Sequence, residues 1–122
     1  MKNYYTKLTQ FSVSASLVNF FSSYLENRKQ FVVFKGCKSE DYLASTGVPQ
    51  GSNLGPLLFS LFINDLPQCV TNSYKLLFAD DFKIYLSVKS IDDCKLLQID
   101  FSAVLQWCRF NKLNINDNKS KV

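Results

Sequence analysis

Residues Phe78-Ala79-Asp80-Asp81 constrain this chain more than any other segment. They separate two apolar runs, Leu76-Leu77-Phe78 before and Phe82-Lys83-Ile84-Tyr85-Leu86 after. Both runs are rich in β-formers, so the pattern predicts two antiparallel strands with the carboxylates where the hairpin turns. Two adjacent carboxylates repel each other unless solvent or a cation screens them. A hard divalent ion such as Mg²⁺ removes that cost, because it takes oxygen ligands. Asp is also an ordinary turn residue, so the pair gains functional meaning only beside a second element that handles nucleotides or nucleic acid.

The segment Gly47-Val48-Pro49-Gln50-Gly51-Ser52-Asn53-Leu54-Gly55-Pro56 is a candidate for that element. It holds three of the four glycines in the chain and two of its three prolines. Glycine allows unusual φ and close approach of backbone to a ligand. Pro56 suits the first turn of a helix, where no amide donor is needed. Leu57, Leu58, Leu61, Phe62 and Asp65 continue that helix, and Pro67 prevents its extension. A Gly-rich approach to a helix N-terminus favours anions, phosphates included. Gln50 adds an amide able to hydrogen-bond a base or sugar edge.

The other elements follow from periodicity. Leu17, Val18, Phe21, Tyr24 and Leu25 share one helical face, with Ser14 or Ser16 as the cap. Phe31-Val32-Val33-Phe34 reads as a short strand, Gly36 to Asp41 as a turn, and Tyr42 to Thr46 as the returning strand. Ser90 opens a long helix with Asp92 and Asp93 in its first turn, where they complement the helix dipole. Leu97, Phe101, Val104, Leu105 and Cys108 form its apolar stripe, with Trp107 beside it covering a sheet edge, while Asp65, Asp92, Asp93 and Asp100 fall on other motifs or helix surfaces. Leu113-Asn114-Ile115 reads as a short final strand. The expected fold class is therefore α+β, an antiparallel sheet packed on helices.

Composition mainly excludes. With 122 residues, one domain or a piece of one is expected, and 47% hydrophobic residues suffice for a core. The net charge of +4 permits a polyanionic partner without demanding one. Basic residues cluster at Arg28, Lys29, Lys35 and Lys38 and again at Arg109, Lys112, Lys119 and Lys121. The chain has no His, and Cys37, Cys69, Cys94 and Cys108 lack Cys-x-x-Cys spacing, so a zinc site is not expected. A His-dependent hydrolase is excluded for the same reason. Leu54 to Ile63 is about half the ~20 residues that cross a bilayer, and serines interrupt residues 11–16, so neither a membrane span nor a signal peptide is expected. Reduced thiols in an intracellular protein are the expected state.

The two elements together carry a resemblance. Gly47-Val48-Pro49-Gln50-Gly51-Ser52-x-Leu54-Gly55-Pro56-Leu57-Leu58-Phe59, continuing through Phe62-Ile63-Asn64-Asp65-Leu66-Pro67, resembles the nucleotide- and template-contacting motif of reverse transcriptases. It looks most like those of non-LTR, LINE-type, jockey-like retrotransposons. Phe78-Ala79-Asp80-Asp81 is similar to the family's Tyr/Phe-x-Asp-Asp catalytic hairpin. Upstream Tyr24-Leu25-x-Asn27-Arg28-Lys29-Gln30 fits, as do Leu97-Gln98, Trp107-Cys108, Asn111, Leu113, Asn116 and Lys119 downstream. The resemblance runs from about Leu17 onward, in motif order.

It implies an RNA-directed DNA polymerase, with residues 1–122 forming part of its palm and adjoining fingers in a right-hand polymerase fold. It implies an RNA template, a DNA primer and deoxynucleoside triphosphates as partners, no membrane, and a location in cytoplasm and nucleus rather than secretion. Mg²⁺, with Mn²⁺ as a substitute, is the implied cofactor, held by Asp80 as main ligand and Asp81 as secondary ligand. Pro49, Gln50, Gly51 and Phe78 would line the nucleotide and template site. Lys119 would approach the pyrophosphate as proton donor or charge stabiliser. The family pattern also calls for another Asp on a strand before the position of Leu17, and none of Met1 to Ser16 is Asp or Glu. The thumb is not matched either, and Ser120 stands where the family commonly has Cys or Thr. The expectation is therefore that these residues alone are inactive. The alternative is a non-catalytic nucleic-acid-binding remnant, in which basic residues and exposed aromatics hold RNA or another single strand.

Overall fold

The computed structural model describes residues 2–44 and 46–120. They form two compact units that meet between Phe62 and Ile63 in sequence. Both units mix helices with small antiparallel sheets, so the chain is α+β.

In the first unit, α1 (Lys2–Gln10) and α2 (Ala15–Leu25) pack together ahead of four short strands and α3 (Gly55–Ile63). Helix α2 starts where the sequence predicts, with the Ser14 hydroxyl accepting the Leu17 amide at 3.4 Å. Its core side is Phe21 and Leu25, packed with Tyr4 and Leu8 of α1 and Leu58 of α3. Helix α1 was not expected. Among its described side chains the buried stripe is Tyr4, Leu8 and the stem of Lys7, too thin to announce a helix from period alone. The Lys7 ammonium donates to the Phe62 carbonyl at 2.9 Å and lies 4.8 Å from the Phe62 ring centroid, which compensates its burial. Tyr4 has its hydroxyl buried without a hydrogen-bond partner, and burial, then the neighbouring Tyr5, pushes its pKa up to about 12.

The strands of this unit differ from the expectation. Strand β1 (Arg28–Gln30) pairs with β4 (Tyr42–Ala44), and β2 (Val33–Phe34) pairs with β3 (Cys37–Lys38). The turn is Lys35-Gly36, both at positive φ, which is the two-residue geometry whose twist matches a hairpin. Cys37 and Lys38 are therefore strand, not turn, and Phe31-Val32 lie between ladders. The apolar run suggested one strand from Phe31, but Gly36 sets the turn and the turn sets the register. Ser45, within the expected returning strand of Tyr42 to Thr46, lies outside the described residues.

In the second unit, a 3₁₀ turn (Leu66–Cys69) leads to β5 (Tyr74–Phe78), β6 (Asp81–Tyr85) and α4 (Ile91–Phe110). Pro67 sits inside that 3₁₀ turn, which accommodates it as an early residue of a new turn after α3 has ended. Helix α4 begins with a full capping box between Ser90 and Asp93. The Ser90 hydroxyl and the Lys89 and Ser90 amides donate to the Asp93 carboxylate, and these bonds lower its pKa, the Lys89 amide most. The helix ends in a Schellman motif. Lys112 is left-handed, its amide donates to the Arg109 carbonyl, and the Leu113 amide donates to the Cys108 carbonyl at 2.9 Å. That return of Leu113 toward the helix explains why Leu113-Asn114-Ile115 is not the strand its β-formers suggested.

The α4 stripe is also shifted from the expectation. Asp100, Val104, Trp107 and Cys108 are buried, whereas Leu97 and Leu105 are half-buried and Phe101 is exposed. Trp107 is thus a core residue, not an edge cover. The sheets number three, each two-stranded, so the single sheet of the expectation is not formed among the described residues.

Candidate active site

The β5–β6 hairpin forms as its flanking runs require, with Tyr74 opposite Tyr85, Leu76 opposite Lys83 and Phe78 opposite Asp81. Alternation gives it two faces. Leu77, Phe82 and Ile84 are half-buried, and β6 packs against α4. Tyr74, Leu76, Phe78 and Tyr85 are exposed, with the Tyr74 and Tyr85 rings stacked at 5.4 Å.

The turn itself is Ala79-Asp80 rather than the Asp pair. Asp81 is already in the strand, paired with Phe78, and Asp80 alone occupies the loop. Ala79 has φ +50°, a left-handed conformation that costs a residue with a Cβ about 1 kcal/mol or more. Both carboxylates are exposed, and Phe78 beside them is 82% exposed. Their oxygens are the hard donors that Mg²⁺ prefers. Among the described residues, no group of three or more His, Cys, Asp or Glu is clustered to hold a metal. The hairpin offers two carboxylates of the chemistry a divalent ion takes, fewer oxygens than a complete shell needs.

A buried carboxylate braces this hairpin. Asp100 of α4 is 1% exposed and accepts the amides of Thr71 at 3.0 Å, Asn72 at 2.9 Å and Ser73 at 2.7 Å. The Asn72 side-chain amide adds a fourth bond at 3.0 Å. Burial by itself pushes the Asp100 carboxyl up, but the Thr71 amide and its neighbours outweigh it and hold the pKa down at about 2. Thr71 to Ser73 lead directly into β5, so a charge on α4 fixes where the hairpin starts. Asp100 is thus not the helix-surface residue the stripe implied. The signal was an Asp set between Leu97 and Val104 at core spacing.

Pro49, Gln50 and Gly51 lie in the other unit. The loop is wound tightly onto α3: the Ser52 amide donates to the Pro49 carbonyl at 3.3 Å, and the Gly55 amide donates to the Ser52 hydroxyl at 3.0 Å. Gly51 has φ +75°, where a side chain is strained, and a Cβ at Gly55 would come within 3.3 Å of the Pro49 carbonyl oxygen, so both positions favour glycine. Gln50 and Gly51 are exposed, and Pro49 is half-buried. Lys119 is exposed in a turn at 117–119 beyond α4. Hairpin, brace and Lys119 thus share one unit, and the Gln50 loop belongs to the other.

The family model for reverse transcriptase (RNA-dependent DNA polymerase) matches residues 1–122. The chain belongs to the reverse transcriptase family. Its relatives are encoded by mobile elements. It is 34% identical over 114 residues to a probable RNA-directed DNA polymerase from transposon X-element of Drosophila melanogaster, covering 89% of this chain and 13% of that protein. It is 32% identical over 115 residues to the RNA-directed DNA polymerase from mobile element jockey of Drosophila funebris, covering 88% of this chain and 13% of that protein. The jockey polymerase of Drosophila melanogaster is 36% identical over 105 residues, 80% of this chain and 12% of that protein. This is a reverse transcriptase segment of the non-LTR retrotransposon type, spanning about an eighth of those relatives. No solved structure matches it. No helix among the described residues is long and apolar enough to cross a membrane.

Proposed function

We propose that this chain is part of the palm, with adjoining fingers, of an RNA-directed DNA polymerase, and that the β5–β6 hairpin carries its metal-binding carboxylates. The observation that carries this reading is the placement of Asp80 in a two-residue turn and Asp81 at the first strand pair, both exposed beside Phe78. In that role Asp80 is the main ligand of Mg²⁺, or of Mn²⁺ in its place, and Asp81 the secondary one. The ions would supply activation of the primer 3′-hydroxyl and charge neutralisation at the leaving pyrophosphate. The chain's own part is to aim its two carboxylates, with β5 fixed through Asp100, and to present Phe78 to the nucleotide and template. Pro49, Gln50 and Gly51 would meet the nucleotide and the RNA template, and Lys119 would place a positive charge near the pyrophosphate. Two carboxylates on one hairpin are fewer than a two-ion site needs, so full catalysis draws a further acidic ligand from outside Asp80 and Asp81.

The test is a Mn²⁺ titration of the 122-residue chain followed by NMR. Paramagnetic broadening is expected to centre on residues 78–83 and to disappear in Asp80→Ala. Broadening spread evenly over surface carboxylates, or unchanged in Asp80→Ala, would contradict the assignment.

A second reading, nucleic-acid binding without catalysis, is favoured by one feature. Phe31, just before β2, and Phe34 of β2 are exposed, with the Lys38 ammonium 4.0 Å from the Phe31 centroid and Lys35 5.5 Å from Phe34. Cations interleaved with exposed rings suit a single strand, whose bases stack and whose phosphates need counter-charge. This reading requires RNA affinity that falls steeply with salt and drops in Phe31→Ala.

A further inference from the structure

Arg28 is the first residue of β1, and its ladder partner Ala44 is the last residue of β4. Among the described residues, that is the last ladder pair of the two strands. The Arg28 side chain extends the grip past that point. One of its terminal nitrogens, Nη2, donates to the Thr46 carbonyl at 3.1 Å and to the Gly47 carbonyl at 2.6 Å. Its Nε donates to the Leu25 carbonyl at 3.1 Å, in the last turn of α2. One planar, charged fork therefore joins the end of a core-packed helix to the two carbonyls that precede Val48-Pro49-Gln50-Gly51. Bonds from a charged donor are shorter and stronger than neutral ones, and a guanidinium fixes direction as well as distance.

At the upstream end of the loop the Val48 side chain packs against the core of Phe21, Leu25 and Leu58, and Arg28 adds the hydrogen bonds that hold the backbone before it. Gly47 is left-handed at φ +75°, and Pro49 has no amide to donate. The downstream end is tied by Ser52 to Gly55. Between the two ties, Gln50 and Gly51 remain exposed.

We infer that Arg28 is a positioning residue for this loop: by holding the Thr46 and Gly47 carbonyls against the end of α2, it sets the direction in which Pro49, Gln50 and Gly51 are presented. Its functional consequence rests on the reading that this loop meets template and nucleotide. The clamp itself does not.

The experiment is hydrogen exchange and side-chain NMR on the 122-residue chain as wild type, Arg28→Ala and Arg28→Lys. In Arg28→Ala, the Ser52 and Gly55 amides, bonded within the loop, are expected to exchange about tenfold faster or more, while amides inside α1 keep their rates. Arg28→Lys keeps the charge but cannot reach three carbonyls at once, so it is expected to leave loop exchange fast. A purely electrostatic role would instead be rescued by lysine. In wild type, a clamped guanidinium gives resolved Nη signals, whereas Arg109, exposed at the end of α4, gives averaged ones and serves as the internal control. If Arg28→Ala does not fold, these wild-type signals decide the matter. Averaged Arg28 signals, unchanged loop exchange, or full rescue by lysine overturns the inference. A final arm adds a single-stranded RNA oligonucleotide. Shifts at Gln50 and Gly51 in wild type, lost in both variants, support the positioning role. No shift at either residue in wild type refutes the template-facing reading and leaves the clamp standing.

Discussion

The Asp100 carboxylate accepts the Ser73 backbone amide at 2.7 Å, one residue before the strand that leads to Asp80. A buried charge on α4 thus sets the start of β5, and through its register the height at which the hairpin turns. Ala at position 100 would leave the Thr71, Asn72 and Ser73 amides without their acceptor. Asp100→Ala is therefore expected to lower stability by about 2–4 kcal/mol, since bonds to a charged acceptor are among the stronger ones and buried donors left unpaired add their desolvation cost. Urea unfolding followed by Trp107, the single tryptophan, measures it within the same unit.

The same carboxylate gives a pH dependence of definite sign. Its folded pKa of about 2 lies below the ordinary aspartate value of 3.8, so the folded state prefers the charged form. The contribution to stability is full above about pH 4 and is lost as pH falls from there through about 2. Asp93, also lowered by its capping bonds, acts in the same direction. Acid unfolding of wild type should steepen across that window. An Asp100→Asn chain whose acid limb matches wild type would remove Asp100 as the cause.

Ala79 holds φ +50° in the turn that carries Asp80. Glycine adopts that conformation without a Cβ clash, against an entropic cost in the unfolded chain. Ala79→Gly should therefore stabilise the hairpin by about 0.5–1 kcal/mol. Thermal unfolding by circular dichroism is the check, and a lower midpoint would mean the Ala79 methyl makes a compensating contact.

Gly55 opens α3 against its own loop. A methyl there meets the Ser52 hydroxyl at 3.1 Å and the Pro49 carbonyl at 3.3 Å. The hydroxyl can rotate away, but the carbonyl is backbone, so Gly55→Ala should cost about 1–3 kcal/mol and displace Pro49 to Gly51. Unfolding midpoints together with Gln50 and Gly51 amide shifts separate the two effects. Wild-type shifts at both positions would show that the loop absorbs the methyl elsewhere.

Much of the architecture was legible because it is local. The Ser14 cap, the Ser90–Asp93 box, Pro56 in the first turn of α3 and the β5–β6 alternation each depend on residues a few positions apart. The motif strings around Gln50 and Asp80 carried the family for the same reason. The failures among the strands fall where a neighbouring turn or helix cap overrides composition. Phe31 to Phe34 looks like a strand by composition, yet Lys35-Gly36 fixes the register, so only Val33 and Phe34 pair and Phe31-Val32 lie between two ladders. Leu113 to Ile115 looks like another, yet the Cys108 carbonyl takes the Leu113 amide.

The sequence by itself determined the elements, their order and the chemistry available to them: a carboxylate pair in a hairpin, a glycine-bearing loop before a helix, and membership in a polymerase family. Tertiary structure alone decided which of Asp80 and Asp81 occupies the turn, that Asp100 is buried, and that Arg28 reaches Thr46 and Gly47. Propensity and spacing act along a few residues of chain. A carboxylate on α4 or a guanidinium on β1 acquires its role only when folding brings backbone donors or acceptors, 18 to 29 positions away, within hydrogen-bond reach.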